Sequence, residues 1–361
     1  MTGDGARGAR RPDGADAGRV TLDEVARRAG VSRAAASLAV RGRPGVGEDT
    51  RQRVVEVAGR LGYHGRPAPA PPAATGTVGL LVKGRPADDG HANAFYAPVI
   101  EGISRACAEA GMDLRLDTLP VDDRQVPLAT PRMLRAGDVD GLIVLGARLP
   151  MAVAERLASM PAVLVDAYVD GRPEGVPPLP SVLSDNAGGA AAVTRYLAGL
   201  GHRRIALVGS EPGSFPSIRD RRGGYAAAMA DAGLAPLFVD GPHDDPLRCV
   251  GPVARLLARP DRPTAVVAAN DAVALTLLSH LGIDVPGELS LAGFDDIEAG
   301  GLVRPRLTTV SVDKPSMGRT AVTLLRQRIA HPGDPSFTHV QHARVLVRES
   351  TAAPSGPDDR A

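Results

Sequence analysis

Residues 20–63 read VTLDEVARRAGVSRAAASLAVRGRPGVGEDTRQRVVEVAGRLGY, and their spacing predicts three short helices. Thr21-Leu22-Asp23-Glu24 is a capping box, in which the Thr21 hydroxyl accepts from the Glu24 amide and the Glu24 side chain reaches back. Val20 and Val25 flank it as a hydrophobic staple, and Leu22, Val25, Ala26 and Ala29 share one helical face. Gly30 can take the left-handed conformation that ends a helix, after which Ser32 caps a second helix over 33–40. Two helices joined by a short glycine-containing turn have helix-turn-helix geometry. A third helix, about 48–61, supplies Val54, Val55, Val57, Ala58 and Leu61 to complete a small core.

Working outward, the net charge of +1 hides an asymmetry. Residues 1–66 hold 13 arginines against 8 carboxylates, whereas the rest of the chain holds 29 basic and 33 acidic groups. A basic head on an acidic body suggests a polyanion-binding module joined to a different domain. The 361 residues suit two or three domains, with a core built from Ala, Val and Leu because aromatics are only 3%. No run of 18 apolar residues exists, so no transmembrane helix is expected. Residues 1–18 lack the apolar stretch of a secretory signal, and a cytoplasmic protein is the default. Cys107 and Cys249 are too few for a disulfide framework or thiolate cluster. His339 and His342 lack a third ligand, and the nucleophile-elbow, phosphate-loop, dinucleotide and zinc-protease motifs are missing. Neither catalysis nor a cofactor is therefore expected.

Beyond residue 76 the pattern changes. Short apolar runs at 78–82, 114–117, 141–145, 162–165, 204–208, 265–268 and 289–292 alternate with helical segments such as 97–110, 187–200, 223–232 and 271–281. Alternation of this kind means parallel sheets covered on both faces, with small molecules bound beyond the strand C-termini.

The head resembles the DNA-binding domain of the LacI/GalR family of bacterial transcription regulators. The resemblance rests on Val20-Thr21-Leu22, Val25-Ala26, Ala29-Gly30-Val31-Ser32, Ser37, Gly42, Pro44-Gly45-Val46, Thr50-Arg51, Arg53-Val54 and Leu61-Gly62-Tyr63. It implies that the second helix enters the major groove. Arg33, Ala34 and Ser37 match the base-touching positions, and Arg33 is the long donor able to grip a guanine edge. Thr21, Leu22, Ser32 and Arg41 complete the implied DNA-contacting set, Thr21 and Ser32 at phosphates. Leu38 stands where the family usually has a base-reading arginine and Arg41 where it has an asparagine, so the operator sequence does not transfer. The family's hinge helix, which inserts leucines into the minor groove, should follow. Residues 65–74 instead read GRPAPAPPAA, which forbids an ordinary helix and offers no leucine. The expectation is less DNA bending and weaker transmission from body to head.

The body resembles the family's effector-binding domain, a periplasmic-binding-protein-like clamp. The matching segments are 93–96 (NAFY), 139–143 (VDGLI), 201–206 (GHRRIA), 219–225 (RDRRGGY), 269–271 (AND), 293–296 (GFDD), 307–310 (LTTV) and 344–351 (RVLVREST). Carried over residue by residue, Arg221, Asn270 and Asp295 form the polar effector-binding set, with Asp166, Phe95 and Tyr96 as further contacts. An amide, a carboxylate and a guanidinium converging on one cleft bind hydroxyl groups by charge-assisted hydrogen bonds. Asp296 reads as a structural loop carboxylate and His202 as a hydrogen bonder at a strand start.

The expected architecture is thus an all-α three-helix helix-turn-helix head joined to an α/β body of two parallel-sheet lobes. The domains are a disordered extension (1–19), the head (20–64), a Pro-rich linker (65–76), the body (77–350) and a disordered tail (351–361). One lobe should combine 77–182 with 312–337 and the other 183–310 with 338–350, with crossings near 183, 311 and 338. The resemblance implies a homodimeric regulator, a repressor first, on a near-palindromic double-stranded DNA operator, controlled by a small polar effector, a sugar first, and without a membrane. Two alternatives stay open: control by a protein partner, and a small-molecule-binding module without DNA activity.

Overall fold

The structure is a computed structural model that describes residues 20–40, 45–61, 63, 75–84, 94–134, 138–171 and 178–355. The chain divides into two compact units, at 1–73 and 74–361. The extension 1–19 and residues 65–74 of the linker lie outside the described residues, as do Arg41, Gly42 and Pro44.

The first unit holds α1 (Leu22–Ala29), α2 (Arg33–Val40) and α3 (Glu48–Arg60). Thr21 caps α1 by accepting from the Glu24 amide at 3.3 Å, but the Glu24 carboxylate turns away to Arg27 and Arg28. The capping box is therefore only half formed, because two guanidiniums outcompete one backbone N–H for the carboxylate. Gly30 ends α1 at φ +67, and the Ser32 hydroxyl accepts from the Ala35 amide at 3.1 Å to start α2. Val25, Ala36 and Val54 are fully buried and seal the three helices together. Val55, expected in that core, is 51% exposed: Val54 and Ala58 fill the inner stripe of α3, and the adjacent position rotates outward.

The second unit runs β1 (Thr77–Gly84), α4 (Tyr96–Glu109), β2 (Asp113–Pro120), β3 (Gly141–Leu145), β4 (Arg148–Leu149), α5 (Met151–Leu157), β5 (Ala162–Val165), β6 (Tyr168–Val169) and β7 (Ser181–Ser184). It continues with α6 (Asn186–Gly199), β8 (Ile205–Val208), α7 (Pro216–Asp231), β9 (Leu237–Val239), α8 (Leu247–Leu257), β10 (Ala265–Ala268), α9 (Asp271–His280) and β11 (Ser290–Ala292). It closes with α10 (Glu298–Leu302), β12 (Thr309–Val312), α11 (Lys314–Ala330), β13 (Thr338–Gln341) and β14 (Ala343–Leu346). One lobe is the parallel sheet β13-β7-β5-β3-β1-β2, and the other is the parallel sheet β11-β10-β8-β9. Strand alternation sends Leu80, Ile143 and Val163 to one core and Leu81, Leu142 and Leu164 to another, so both faces of the larger sheet are buried.

The chain crosses between lobes after β7, through β12, and between β13 and β14, and β12 pairs antiparallel with β14. The lobe boundary near 338 needs correction: Thr338–Gln341 extends the first lobe's sheet by pairing with β7, so the crossing falls after 341. The tail expected to be disordered over 351–361 is corrected for 351–355, while 356–361 lie outside the described residues. The Thr351 hydroxyl bonds Tyr196 at 2.9 Å, the Ala352 carbonyl accepts from His202 Nε2 and the Ser290 hydroxyl, and Pro354 is buried. The linker's last two residues likewise belong to the body, since the Thr75 and Gly76 amides donate to the Asp140 carboxylate at 2.6 and 2.8 Å.

Candidate functional site

Strand C-termini from both lobes face one another across a cleft, and the loops that leave them carry the polar groups. The structure brings Phe95, Tyr96, Asp166, Arg221, Asn270 and Asp295 together around a single cavity of about 40 Å³.

Arg221, on α7, is 5% exposed and is fixed on three sides. Its Nε donates to Asn186 Oδ1 at 2.9 Å, Nη1 to the Ala269 carbonyl at 2.8 Å and Nη2 to Asp295 Oδ1 at 2.8 Å. The guanidinium also lies 3.7 Å from the Phe294 ring centroid. Asp295 follows β11 at φ +111, and the next residue, Asp296, has φ +52. This left-handed turn is uncommon for residues with a Cβ. It is held by Lys314, whose Nζ donates to the carbonyls of Asp295 and Asp296. Burial pushes the Asp295 carboxyl up, against the pull of Arg221 and Lys314.

From the first lobe, Asp166 accepts from the Tyr96 hydroxyl at 2.8 Å and the Tyr168 hydroxyl at 3.3 Å. Burial raises the Asp166 carboxyl, partly offset by the nearby Lys83 ammonium. Both phenols are pushed up, first by burial and then by the Asp166 charge, which keeps them protonated as donors. Gly146, at φ +79, lets the Tyr96 ring pass: a Cβ there would stand 2.5 Å from the phenol oxygen.

Asn270 reaches the cavity but its amide is largely committed. Its oxygen caps α9 by accepting from the Val273 amide at 2.9 Å, and its nitrogen donates to the His243 carbonyl at 3.1 Å. One donor and one lone pair remain for a ligand. Asp296, read as structural, accepts from Arg348 at 2.6 Å and from the Ser311 hydroxyl at 2.8 Å. His202 bonds the Thr264 hydroxyl and the Ala352 carbonyl, each at 2.9 Å.

Sequence reasoning missed Lys83 and Phe215, which also line the cavity, and Tyr168, which packs behind them against Asp166 and Phe215. The Lys83 ammonium lies 4.6 Å from the Phe215 ring centroid, and Phe215 packs edge-on against Tyr168 at 5.4 Å, so these three join the lobes. Lys83 stands near the C-terminal end of β1, where such sheets bind ligands, and that position was a usable signal.

In the head, Thr21, Ser32, Arg33 and Ala34 are exposed, and Ser37 is half-buried. Leu22 packs partly against the helical core, which limits what it presents outward.

A helix-turn-helix head on a two-lobed clamp with a polar interlobe cavity defines a class: transcriptional regulators built on a periplasmic-binding-protein-like body. Residues 21–65 match the model of bacterial regulatory proteins, lacI family, and residues 194–351 match a periplasmic binding protein-like domain. The chain belongs to the lacI family. It is 30% identical over 349 residues to the HTH-type transcriptional repressor PurR of Photobacterium profundum, covering 91% of this chain and 98% of that one. The ribose operon repressor of Haemophilus influenzae is 28% identical with the same coverage. Among solved structures, the transcriptional regulator CelR–cellobiose complex is 29% identical with a TM-score of 0.64, covering 92% of this chain and 100% of that one. Among the described residues no helix is long and apolar enough to cross a membrane.

Proposed function

We propose that the chain is a cytoplasmic homodimeric repressor that binds a near-palindromic operator and is controlled by a small polar effector, a sugar, held between its lobes. It performs no catalysis and uses no cofactor. The reading is carried by one observation: Arg221, Asn270 and Asp295 from one lobe and Asp166 and Tyr96 from the other surround a single cavity. Carboxylates, an amide and a phenol on two facing walls match the hydroxyls of a polyol, and rings on both walls cover its apolar faces. Relatives named for ribose and cellobiose support a sugar. The effector acts by favouring one degree of lobe closure, and only its differential affinity for the two arrangements can shift DNA binding.

The DNA-contacting residues proposed are Thr21, Leu22, Ser32, Arg33, Ala34, Ser37 and Arg41, with Arg33 the principal base reader. Selection of genomic fragments by the purified protein, followed by a sugar panel against the recovered site, tests the reading. Recovery of a two-fold site whose complex a sugar dissolves or tightens is expected. Failure to enrich any sequence overturns the operator-binding reading, and enrichment with no response to any small molecule overturns the effector reading.

A further inference from the structure

The recognition-helix arginine has a partner on the other helix. Arg33 Nε stands 3.3 Å from Asp23 Oδ1, joining the first residue of α2 to the first turn of α1. Both side chains are largely exposed, at 72% and 64%, and Asp23 is the one ion-pair partner of Arg33 among the described residues. An exposed pair of this kind contributes little to the stability of the free head.

Its consequence lies in geometry. Arginine carries five N–H donors in a rigid planar fork. A carboxylate at the Nε side leaves the two terminal nitrogens directed onward, the arrangement that meets guanine O6 and N7 together. A carboxylate on a DNA-facing surface is repelled by phosphates, so placing one beside the reading arginine costs non-specific affinity. When DNA excludes water from the pair, the charge-assisted contact strengthens and holds the fork in one orientation.

Resting on the operator-binding reading above, we propose that Asp23 is the positioning residue for Arg33: it fixes the guanidinium so that one guanine in each half-site is read bidentately. Asp23 itself touches no base. The competing role is local: an acidic residue in a first helical turn favours the helix dipole. The two roles differ in what they move. A helix-stabilising carboxylate affects every DNA sequence alike, whereas a positioning carboxylate affects preference at one base pair.

Selection from a randomised duplex library separates them, using the full-length chain and its Asp23→Ala, Asp23→Asn, Arg33→Ala and Asp23→Ala/Arg33→Ala variants. The wild type is expected to prefer guanine at one position per half-site, and Arg33→Ala to lose that preference. Asp23→Ala should weaken it roughly fivefold at that position alone, a fraction of what a full bidentate contact supplies. Asp23→Asn, which keeps an acceptor without the charge, should fall between. The double variant should match Arg33→Ala, since Asp23 acts through that side chain. Binding of Asp23→Ala to non-specific DNA should be equal or tighter, because a charge facing phosphate is gone. An unchanged preference in Asp23→Ala, or an equal loss at all positions, overturns the proposal. If the wild type enriches no sequence, the operator-binding reading fails and takes this one with it; a wild type that reads operator without guanine opposite Arg33 overturns this one alone.

Discussion

Arg221 Nη2 donates to Asp295 Oδ1 at 2.8 Å, and both side chains are nearly sealed from solvent. The residues proposed to hold the effector are thus also a buried ion pair inside the second lobe. Truncating one partner strands the other charge, a loss of about 3–5 kcal/mol. Asp295→Ala therefore confounds binding with folding. Asp295→Asn keeps an acceptor for Arg221 and removes only the charge. Its unfolding midpoint is expected to fall by less than that of Asp295→Ala, because an acceptor for Arg221 remains, while effector affinity falls at least about tenfold, the weight of one charge-assisted bond. Calorimetry with the recovered effector, alongside thermal unfolding, checks this, and unchanged affinity contradicts the assignment.

Lys314 ties the two lobes to this pair. It begins α11, which packs on the first lobe, and its ammonium donates to the carbonyls of Asp295 and Asp296 in the second. A cation at a helix N-terminus opposes the dipole, so the position is filled against local preference. Lys314→Met should release the left-handed turn at Asp295. Faster amide exchange is expected at residues 294–297, with effector affinity reduced several-fold and the head's exchange unchanged. Hydrogen exchange by mass spectrometry reads all three, and wild-type protection at 294–297 contradicts it.

Asp271 gives the fold a pH dependence. It is fully buried, accepts from Thr309 Oγ1 at 2.6 Å and from the Ile297 amide at 2.9 Å, and burial together with Asp295 pushes it up to about 7. The unfolded value is about 3.9, so the folded state binds the proton more tightly. Stability from this group is complete below about pH 4 and is lost as pH rises through about 7, a change on the order of 4 kcal/mol. Asp271→Asn should flatten the fall in urea stability between pH 5 and 8. A variant with the wild-type slope contradicts the assignment.

Gly146 shows how the cavity depends on backbone conformation. Gly146→Ala would strain a φ of +79 and set a methyl against the Tyr96 phenol. The expected cost is about 3 kcal/mol, from left-handed strain plus overpacking. The Tyr96–Asp166 bond should break, weakening effector binding as well. Thermal unfolding and a ligand titration test both, and a variant of unaltered stability refutes the tight fit.

The legible parts of this molecule were those in which local chemistry agrees with the fold. Thr21, Gly30 and Ser32 mark the head's helix ends because caps and left-handed turns are set by neighbouring residues. The parallel strands showed as apolar runs because both sheet faces are buried. Other features depend on partners distant in sequence. Thr338–Gln341 reads as half-exposed and gains its place only by pairing with β7. Residues 351–355 look like a polar tail until His202 and Ser290 bind them. The helix predicted at 223–232 begins at Pro216, where a proline at the first turn was the available signal. Lys83, Tyr168 and Phe215 escaped notice because a single lysine or ring acquires meaning only when two lobes meet.

The linker carries the last prediction, from sequence alone. Four prolines and no leucine between residues 65 and 74 are a composition that disfavours a helix and offers no leucine wedge of the kind by which a hinge kinks DNA. An intercalating wedge unstacks a base step and bends the duplex by about 20–90°. Without one, the protein should bend its operator by less than about 20°, and effector binding should change operator affinity only modestly, because the sequence of 65–74 offers no hinge helix to couple body to head. Circularly permuted operator fragments report the bend directly. A large kink at the operator centre would show that residues 65–74 or another segment supplies a wedge despite the composition, and replacing 65–74 by a Gly/Ser spacer would then decide between them: loss of the kink assigns it to the linker.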